Sequence, residues 1–385
     1  MTTTTLESEE RRAFRDSVRG FVARHILGRE ADFDRHGEFP LELFRSMGKQ
    51  GFYGLRYPEG VGGQGADLGT ACVLYEELAY GNLAVAAICA MQGLMGTNFV
   101  HRFGTADQQE AYLKPALAGE KVATFALTEP DAGSDLGAIR TQARKVDHGW
   151  ILNGAKTWIT NAPVADFLTV GAKTSDEPGL GNIALFLIDA GNPGFTVGNP
   201  IEKLGVRSSL TSEVALTDCF VADDALLGGV GNGVKNVGGI LSEIRVMTAA
   251  LSTGLGRRAL DEAARYANER GAFGKPIGEF QAIQHKLADM ETSLFAASVL
   301  TYDVAARVDA GDAATHEASM VKLFASEACA AIVDQATRIY GSYGFAMEYP
   351  AQRFFRDARF LLYGGGTSEI LRMVIGREVV RSHRA

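Results

Sequence analysis

Four short segments carry residues whose types and spacing could do chemistry. In Phe125-Ala126-Leu127-Thr128-Glu129-Pro130-Asp131-Ala132-Gly133-Ser134-Asp135, the glycine and serine after a proline turn offer backbone N–H groups and a hydroxyl. That equipment suits a phosphate or the polar edge of a ring. Trp158-Ile159-Thr160-Asn161 reads as a strand end with a large flat ring beside a hydroxyl, able to lie against a planar cofactor, although a strand Trp equally serves as core. Arg270-Gly271-Ala272-Phe273-Gly274-Lys275-Pro276-Ile277, followed by Phe280-Gln281, marks the change from one helix to the next, and arginine pairs with pyrophosphate in fork geometry. The last segment is Arg356-Asp357-Ala358 and then Gly364-Gly365-Gly366-Thr367-Ser368-Glu369-Ile370, where glycines permit close approach to a ligand and Thr or Ser caps a final helix.

Other chemistries lack an anchor. The seven histidines (His25, His36, His101, His148, His285, His316, His383) form no metal-ligand spacing, so no metal is expected. Cys72, Cys89, Cys219 and Cys329 are far apart and read as small core residues. There is no GxSxG elbow and no GxxxxGK[ST] loop. A literal GxGxxG at Gly60, Gly62 and Gly65 follows Tyr57-Pro58-Glu59 and opens no βαβ unit, so it reads as a loop. The net charge of −8 and pI near 5.5 argue against nucleic acid or an anionic membrane as partner. With no run of about 18 apolar residues and a Thr-rich, acidic start, the expectation is a cytoplasmic protein without a membrane span.

The elements that must position these segments follow from periodicity. From Leu6 to about Leu117 the pattern is helical, with Phe14, Val18, Phe21, Val22 and Ile26 on one amphipathic helix and residues 68–103 forming a buried helix pair. Near Val122 short apolar runs and turns take over, at 150–152, 167–170, 183–188, 195–197 and 214–216, which predicts a compact antiparallel β domain. After the Gly-rich stretch 228–239, long helices return at about 241–270, 281–310, 313–340 and 368–380. The expected domains are 1–121 (helical), 122–227 (β) and 228–385 (helical).

TEPxAGSD, WITN, RxxFGxPI and RDAxxxxxxxGTSEI, in this order across an α-β-α chain, resemble the acyl-CoA dehydrogenase family from about residue 6 to 382. The resemblance implies an α+β, mainly α, fold: an N-terminal helical domain, a central antiparallel β domain and a C-terminal four-helix bundle. It further implies FAD held between subunits of a homotetramer built as a dimer of dimers, with an electron-transfer flavoprotein as acceptor. Carried over by position, Phe125, Leu127 and Thr128 fall on the flavin edge, Gly133 and Ser134 near phosphate, and Trp158 and Thr160 beside the reactive N5. Arg270, Phe273, Gln281, Arg338 and Gly341 match positions reaching the FAD of a neighbouring subunit. Thr367 and Glu369 match the last contacts, and Arg245 and Gly364 the substrate side.

The resemblance breaks at the catalytic base. In the family a carboxylate removes the α-proton while the β-hydrogen leaves as hydride. One family position for it, before Gly-Thr, is Gly365 here; the other, before Arg245, is Ile244. The nearest carboxylate is Glu243, about 100° further round an ideal helix, and it stands as the candidate base against a solvated or ion-paired reading. Gly365 keeps its N–H for the thioester oxygen. Arg338 and Ser342 replace the family's Gln and Gly, and Ser242 an Asp that contacts the pantetheine arm, which leaves CoA or an acyl carrier protein as carrier. The first reading is therefore dehydrogenation of a branched or unusual acyl thioester. Desulfination, oxygen-dependent tailoring and a degenerate partner subunit are the alternatives.

Overall fold

Side-chain caps set where the N-terminal helices begin. The Ser8 hydroxyl accepts from the Arg11 N–H, the Asp67 carboxylate from Thr70 N–H at 2.7 Å and the Asn82 side-chain oxygen from Val85 N–H at 3.1 Å. Each occupies a donor that a first helical turn leaves unpaired. The helices that follow are Glu9–His25, Leu68–Gly81 and Leu83–Ala90. The computed structural model describes residues 8–177 and 179–384, so the expected start at Leu6 lies outside the described residues. Helix Glu9–His25 buries Val18, Phe21 and Val22, the apolar stripe that its sequence predicts. The buried pair expected over 68–103 is cut twice, at Asn82 and by a π-turn over Met91–Gly96. By length and hydropathy Leu83–Phe103 could cross a membrane, but 89% of its most apolar window is buried inside the protein.

The central domain is one eight-stranded sheet, mixed rather than wholly antiparallel. Its spatial order is Phe195–Pro200, Thr211–Ala222, Gly149–Thr160, Gln142–Val146, Phe167–Lys173, Ile183–Asp189 and Leu226–Leu227. Ala123–Ala126 adds to Phe167–Lys173 in parallel register, Ala123 opposite Phe167, and Gln142 pairs in parallel with Lys173. The first of these contacts brings the chain in from the helical domain, and local alternation could not reveal the direction of either.

Helices Gly233–Glu269, Gln281–Asp309 and Thr315–Tyr340 form three members of the C-terminal bundle. The fourth is Pro350–Tyr363, packed on the first and third, whereas Ser368–Ser382 lies mainly on the third. The sequence expectation placed the fourth helix at 368–380 and missed Pro350–Tyr363, whose arginines mask a 3.6-residue stripe of Phe354, Ala358 and Leu361. Gly254 lets the long helix cross Leu68–Gly81 closely, since a Cβ there would meet the Glu76 carbonyl at 2.1 Å. Beside that crossing, Arg257 donates to Glu77 at 2.6 Å and Tyr302 to Glu76 at 2.7 Å, pairing the buried carboxylates.

Arg356 and Asp357 turn out to be joints between domains. Arg356 holds Asp34 of the N-terminal domain through both terminal nitrogens and donates to the Leu204 carbonyl at 2.8 Å. Asp357 accepts from the Val206 N–H at 2.6 Å in the β domain. Burial pushes the Asp357 carboxyl up to about 6, an effect that the Val206 N–H and nearby Arg353 and Arg356 only partly offset. A raised folded value means that the folded state holds this proton more tightly than the unfolded chain. This contribution to stability is complete below about pH 4 and is lost as pH rises through about 6. Asp357→Asn is therefore expected to raise the melting temperature over wild type more at pH 7.5 than at pH 5, in parallel thermal melts. An advantage that shrinks with rising pH would contradict the sign.

Candidate active site

The strand Gly149–Thr160 carries an extra residue where it faces Thr211–Ala222: Lys156 opposes Val214, but Ile159 opposes Ser212. Such a bulge re-aims side chains. Trp158 sits in it with φ +61° and leaves its indole 59% exposed. The Thr157 N–H donates to the Thr128 carbonyl at 3.0 Å, which lays Leu127 and Thr128 alongside Trp158. Phe125 leans on Phe99 with ring centres 5.0 Å apart, and Leu127 fills the space above Gly171. The hydroxyls of Thr128 and Thr160 make no hydrogen bond as donors or acceptors within the described protein, apart from their backbone atoms. Gly133 and Ser134 form an exposed turn just beyond. A flat exposed ring flanked by free hydroxyls is a donor set that fits a flavin.

Beneath this surface lies a buried ion pair. Lys156 Nζ, fully buried, donates to Glu129 Oε1 at 2.7 Å and to the Leu127 carbonyl at 3.1 Å. Glu129 also accepts from the Arg140 and Thr141 N–H groups, at 2.6 and 3.0 Å. Burial brings Lys156 down to about 8 despite Glu129. Burial alone would raise Glu129, but Lys156 and the two N–H donors outweigh it and hold the carboxyl below its ordinary value.

A second group stands at one end of the bundle. Arg270 lies 5.4 Å from the Tyr343 ring centre, Phe273 is 96% exposed at φ +50°, and Gln281 opens the second bundle helix. Arg338 pairs with Asp334 at 2.7 Å, and Gly341 follows it at the helix end. Among the described residues no hydrogen bond, ion pair or ring contact joins this group to Trp158 or Thr128.

The third group surrounds the glycine turn. Gly364 ends helix Pro350–Tyr363, Gly365 has φ +71°, and the Thr367 hydroxyl accepts from the Ile370 N–H. Glu369 is exposed near Arg372. A Cβ on Gly365 would lie 3.3 Å from Thr248 Oγ1 and 3.5 Å from Ile244 Cγ2. Both family positions for the base therefore meet at one spot, and neither carries a carboxylate. Glu243 instead reaches Arg56, at 3.1 Å, and Arg56 continues to Asp309 at 3.3 Å. Arg245 is buried and donates to Ser319 Oγ at 2.8 Å. Lys322, fully buried, donates to the Gly366 carbonyl at 2.7 Å and the Leu362 carbonyl at 3.3 Å. Burial and the nearby Arg245 bring Lys322 down to about 8.

With this geometry, the comparisons with known proteins agree. Residues 8–120, 124–219 and 231–380 match the N-terminal, middle and C-terminal domains of acyl-CoA dehydrogenase. The chain belongs to the acyl-CoA dehydrogenase family. It is 48% identical over 373 residues to benzylmalonyl-CoA dehydrogenase of Aromatoleum aromaticum, covering 97% of this chain and 98% of that protein. It is 38% identical to a subunit of the caffeyl-CoA reductase-Etf complex of Acetobacterium woodii, covering 96% and 97%. The structure of butyryl-CoA dehydrogenase from Megasphaera elsdenii superposes with a TM-score of 0.94 at 33% identity, covering 99% and 100%. The protein is thus an acyl-CoA dehydrogenase-type oxidoreductase acting on CH–CH groups, and members of its family are FAD-binding flavoproteins.

Sequence reasoning missed Lys156, Thr248, Lys322 and Arg56. Thr248 lies one helical turn from Ile244, so projecting the helix from Ile244 would have found it. A lysine four residues before Thr160, on a strand otherwise read as core, was the available signal for Lys156. Lys156→Met leaves Glu129 buried without its cation and is expected to cost about 3–5 kcal/mol in chemical denaturation. The same variant should purify with less bound flavin, and unchanged stability with full flavin would show that the pair is dispensable.

Proposed function

We propose that this acyl-CoA dehydrogenase uses bound FAD to oxidise the α,β bond of an acyl thioester whose α-carbon carries a carboxylate. The observation that carries the reading is the glycine turn, where the atoms nearest to the missing Gly365 side chain belong to Ile244 and Thr248. Plain acyl thioesters need a base to remove the α-proton. A malonyl-type thioester does not: heterolysis of its bond to the carboxylate leaves the electron pair on the α-carbon and releases CO2. The relative whose name contains benzylmalonyl supports that class. With the caffeyl relative, it also favours a three-carbon acyl chain ending in an aryl ring.

In this reading Leu127, Thr128, Trp158 and Thr160 border the flavin ring, with Phe125 behind them, and Gly133 and Ser134 meet phosphate. Arg270, Phe273, Gln281, Arg338 and Gly341 serve the FAD of a neighbouring subunit in a homotetramer. Phe273 and Phe345, each more than nine-tenths exposed, fit that assembly. Thr367 and Glu369 complete the cofactor contacts. A flavin held there would supply the oxidant, the acceptor for the β-hydrogen and its electron pair. The Gly365 N–H meets the thioester oxygen as negative charge develops on it, and Gly364 leaves room for the acyl group. An electron-transfer flavoprotein is the acceptor, consistent with the Etf complex named for one relative. The carrier is CoA or an acyl carrier protein.

Anaerobic mixing with 2-benzylmalonyl-CoA is expected to bleach the flavin and release CO2 in equal amount, at least ~100-fold faster than 3-phenylpropanoyl-CoA bleaches it, the span that a general base supplies. Faster bleaching by the plain thioester would overturn the reading. Ile244→Glu restores a carboxylate beside Gly365 and should raise the rate on 3-phenylpropanoyl-CoA by about tenfold or more. Glu243→Gln, by contrast, should retain turnover of the malonyl thioester within about threefold, because the Glu243 carboxylate is occupied by Arg56.

A further inference from the structure

The space over Gly365 is lined on one side by a polar group. Thr248 is 4% exposed, and its Oγ1 is the atom nearest to the absent Gly365 side chain, at 3.3 Å. Its proton now goes to the Ile244 carbonyl, at 2.8 Å. That carbonyl also accepts the helical N–H of Thr248, so turning the hydroxyl about Cβ–Oγ strands no acceptor. A hydroxyl that can be redirected at little cost therefore faces the seat where a protein carboxylate would have stood.

Two cations surround this seat without their own acids. Among the described residues neither Arg245 nor Lys322 makes an ion pair, and Arg245 Nε is buried with no partner. Glu327 and Glu369, the acids whose charge acts on Lys322, pair instead with Arg372, at 3.2 and 4.0 Å. Unpaired buried cations are costly, and they create a positive field that draws an anion inward. Both are nevertheless tethered elsewhere, Arg245 Nη1 to Ser319 and Lys322 to the Leu362 and Gly366 carbonyls.

We propose that Thr248 is the specificity-determining residue for the substrate's α-carboxylate, its hydroxyl donating to that group in the space over Gly365. The proposal rests on the decarboxylating reading given above. A neutral donor suits the task. A tight salt bridge would stabilise the carboxylate before reaction and slow its loss, whereas a hydroxyl orients the group without fixing its charge. As the bond breaks, CO2 departs from Thr248. The electron pair stays on the α-carbon toward the oxygen at the Gly365 N–H, then forms the new double bond as the β-hydride leaves to FAD, the oxidant. Arg245 and Lys322 act at a distance, raising the local concentration of the anionic substrate.

The test compares wild type with Thr248→Val, which keeps the shape, and Thr248→Ser, which keeps the hydroxyl. CO2 release from 2-benzylmalonyl-CoA is measured with the dissociation constant of cinnamoyl-CoA, which has no carboxylate. Thr248→Val is expected to lower kcat/KM for CO2 release by about 10- to 100-fold, the loss of one hydrogen bond to a charged group. Cinnamoyl-CoA binding should stay within about twofold, and Thr248→Ser should recover most of the rate. CO2 release by Thr248→Val at the wild-type rate would remove Thr248 from the seat while leaving the decarboxylating reading intact. A parallel loss of cinnamoyl-CoA affinity would make Thr248 a packing residue and equally overturn the proposal. Wild-type enzyme, fully loaded with FAD, that releases no CO2 would overturn the decarboxylating reading and this inference with it.

Discussion

The Lys156–Glu129 pair is the interaction on which the surface around Trp158 and Thr128 depends. A lysine with no exposed surface is tolerated only where its charge is met, and here a carboxylate and a backbone carbonyl meet it. One ammonium thereby ties the strand that carries Trp158 and Thr160 to the segment that carries Leu127 and Thr128. The same carboxylate takes the Arg140 and Thr141 N–H groups, so the loop with Gly133 and Ser134 closes onto the same point. Three stretches within residues 127–160 become one surface because a single buried charge has to be neutralised.

Much of this was legible in the sequence, and the limits have physical causes. The α-β-α order could be read because turn residues and periodicity are local signals. The parallel entry of Ala123–Ala126 could not, since strand direction is set by the path between domains. Arg356 and Asp357, picked out as part of a chemical motif, are instead shared between Asp34, Leu204 and Val206. Their partners lie more than 150 residues away, beyond any spacing argument. The two base positions were visibly without a carboxylate, but that both converge on Thr248 is a property of how the long helix meets the turn.

Around that turn charge is distributed unusually. The acids Glu243 and Asp309 are committed to structure, Glu243 to Arg56 and Asp309 to both Arg56 and the N–H groups of Leu68 and Gly69. Arg245 and Lys322, by contrast, make no ion pair among the described residues. Taken together, these assignments give a site whose electrostatics favour an anion, built from side chains that each have a structural duty as well.

The backbone of Gly365 has a consequence for the history of such a site. At φ +71° an L-residue is strained by roughly 1–2 kcal/mol, and its Cβ would press on Thr248. A chain that has settled into this turn has therefore made glycine the comfortable occupant. The turn works in this respect as a ratchet: easy to enter by losing a side chain, and uphill to leave by regaining one at the same position.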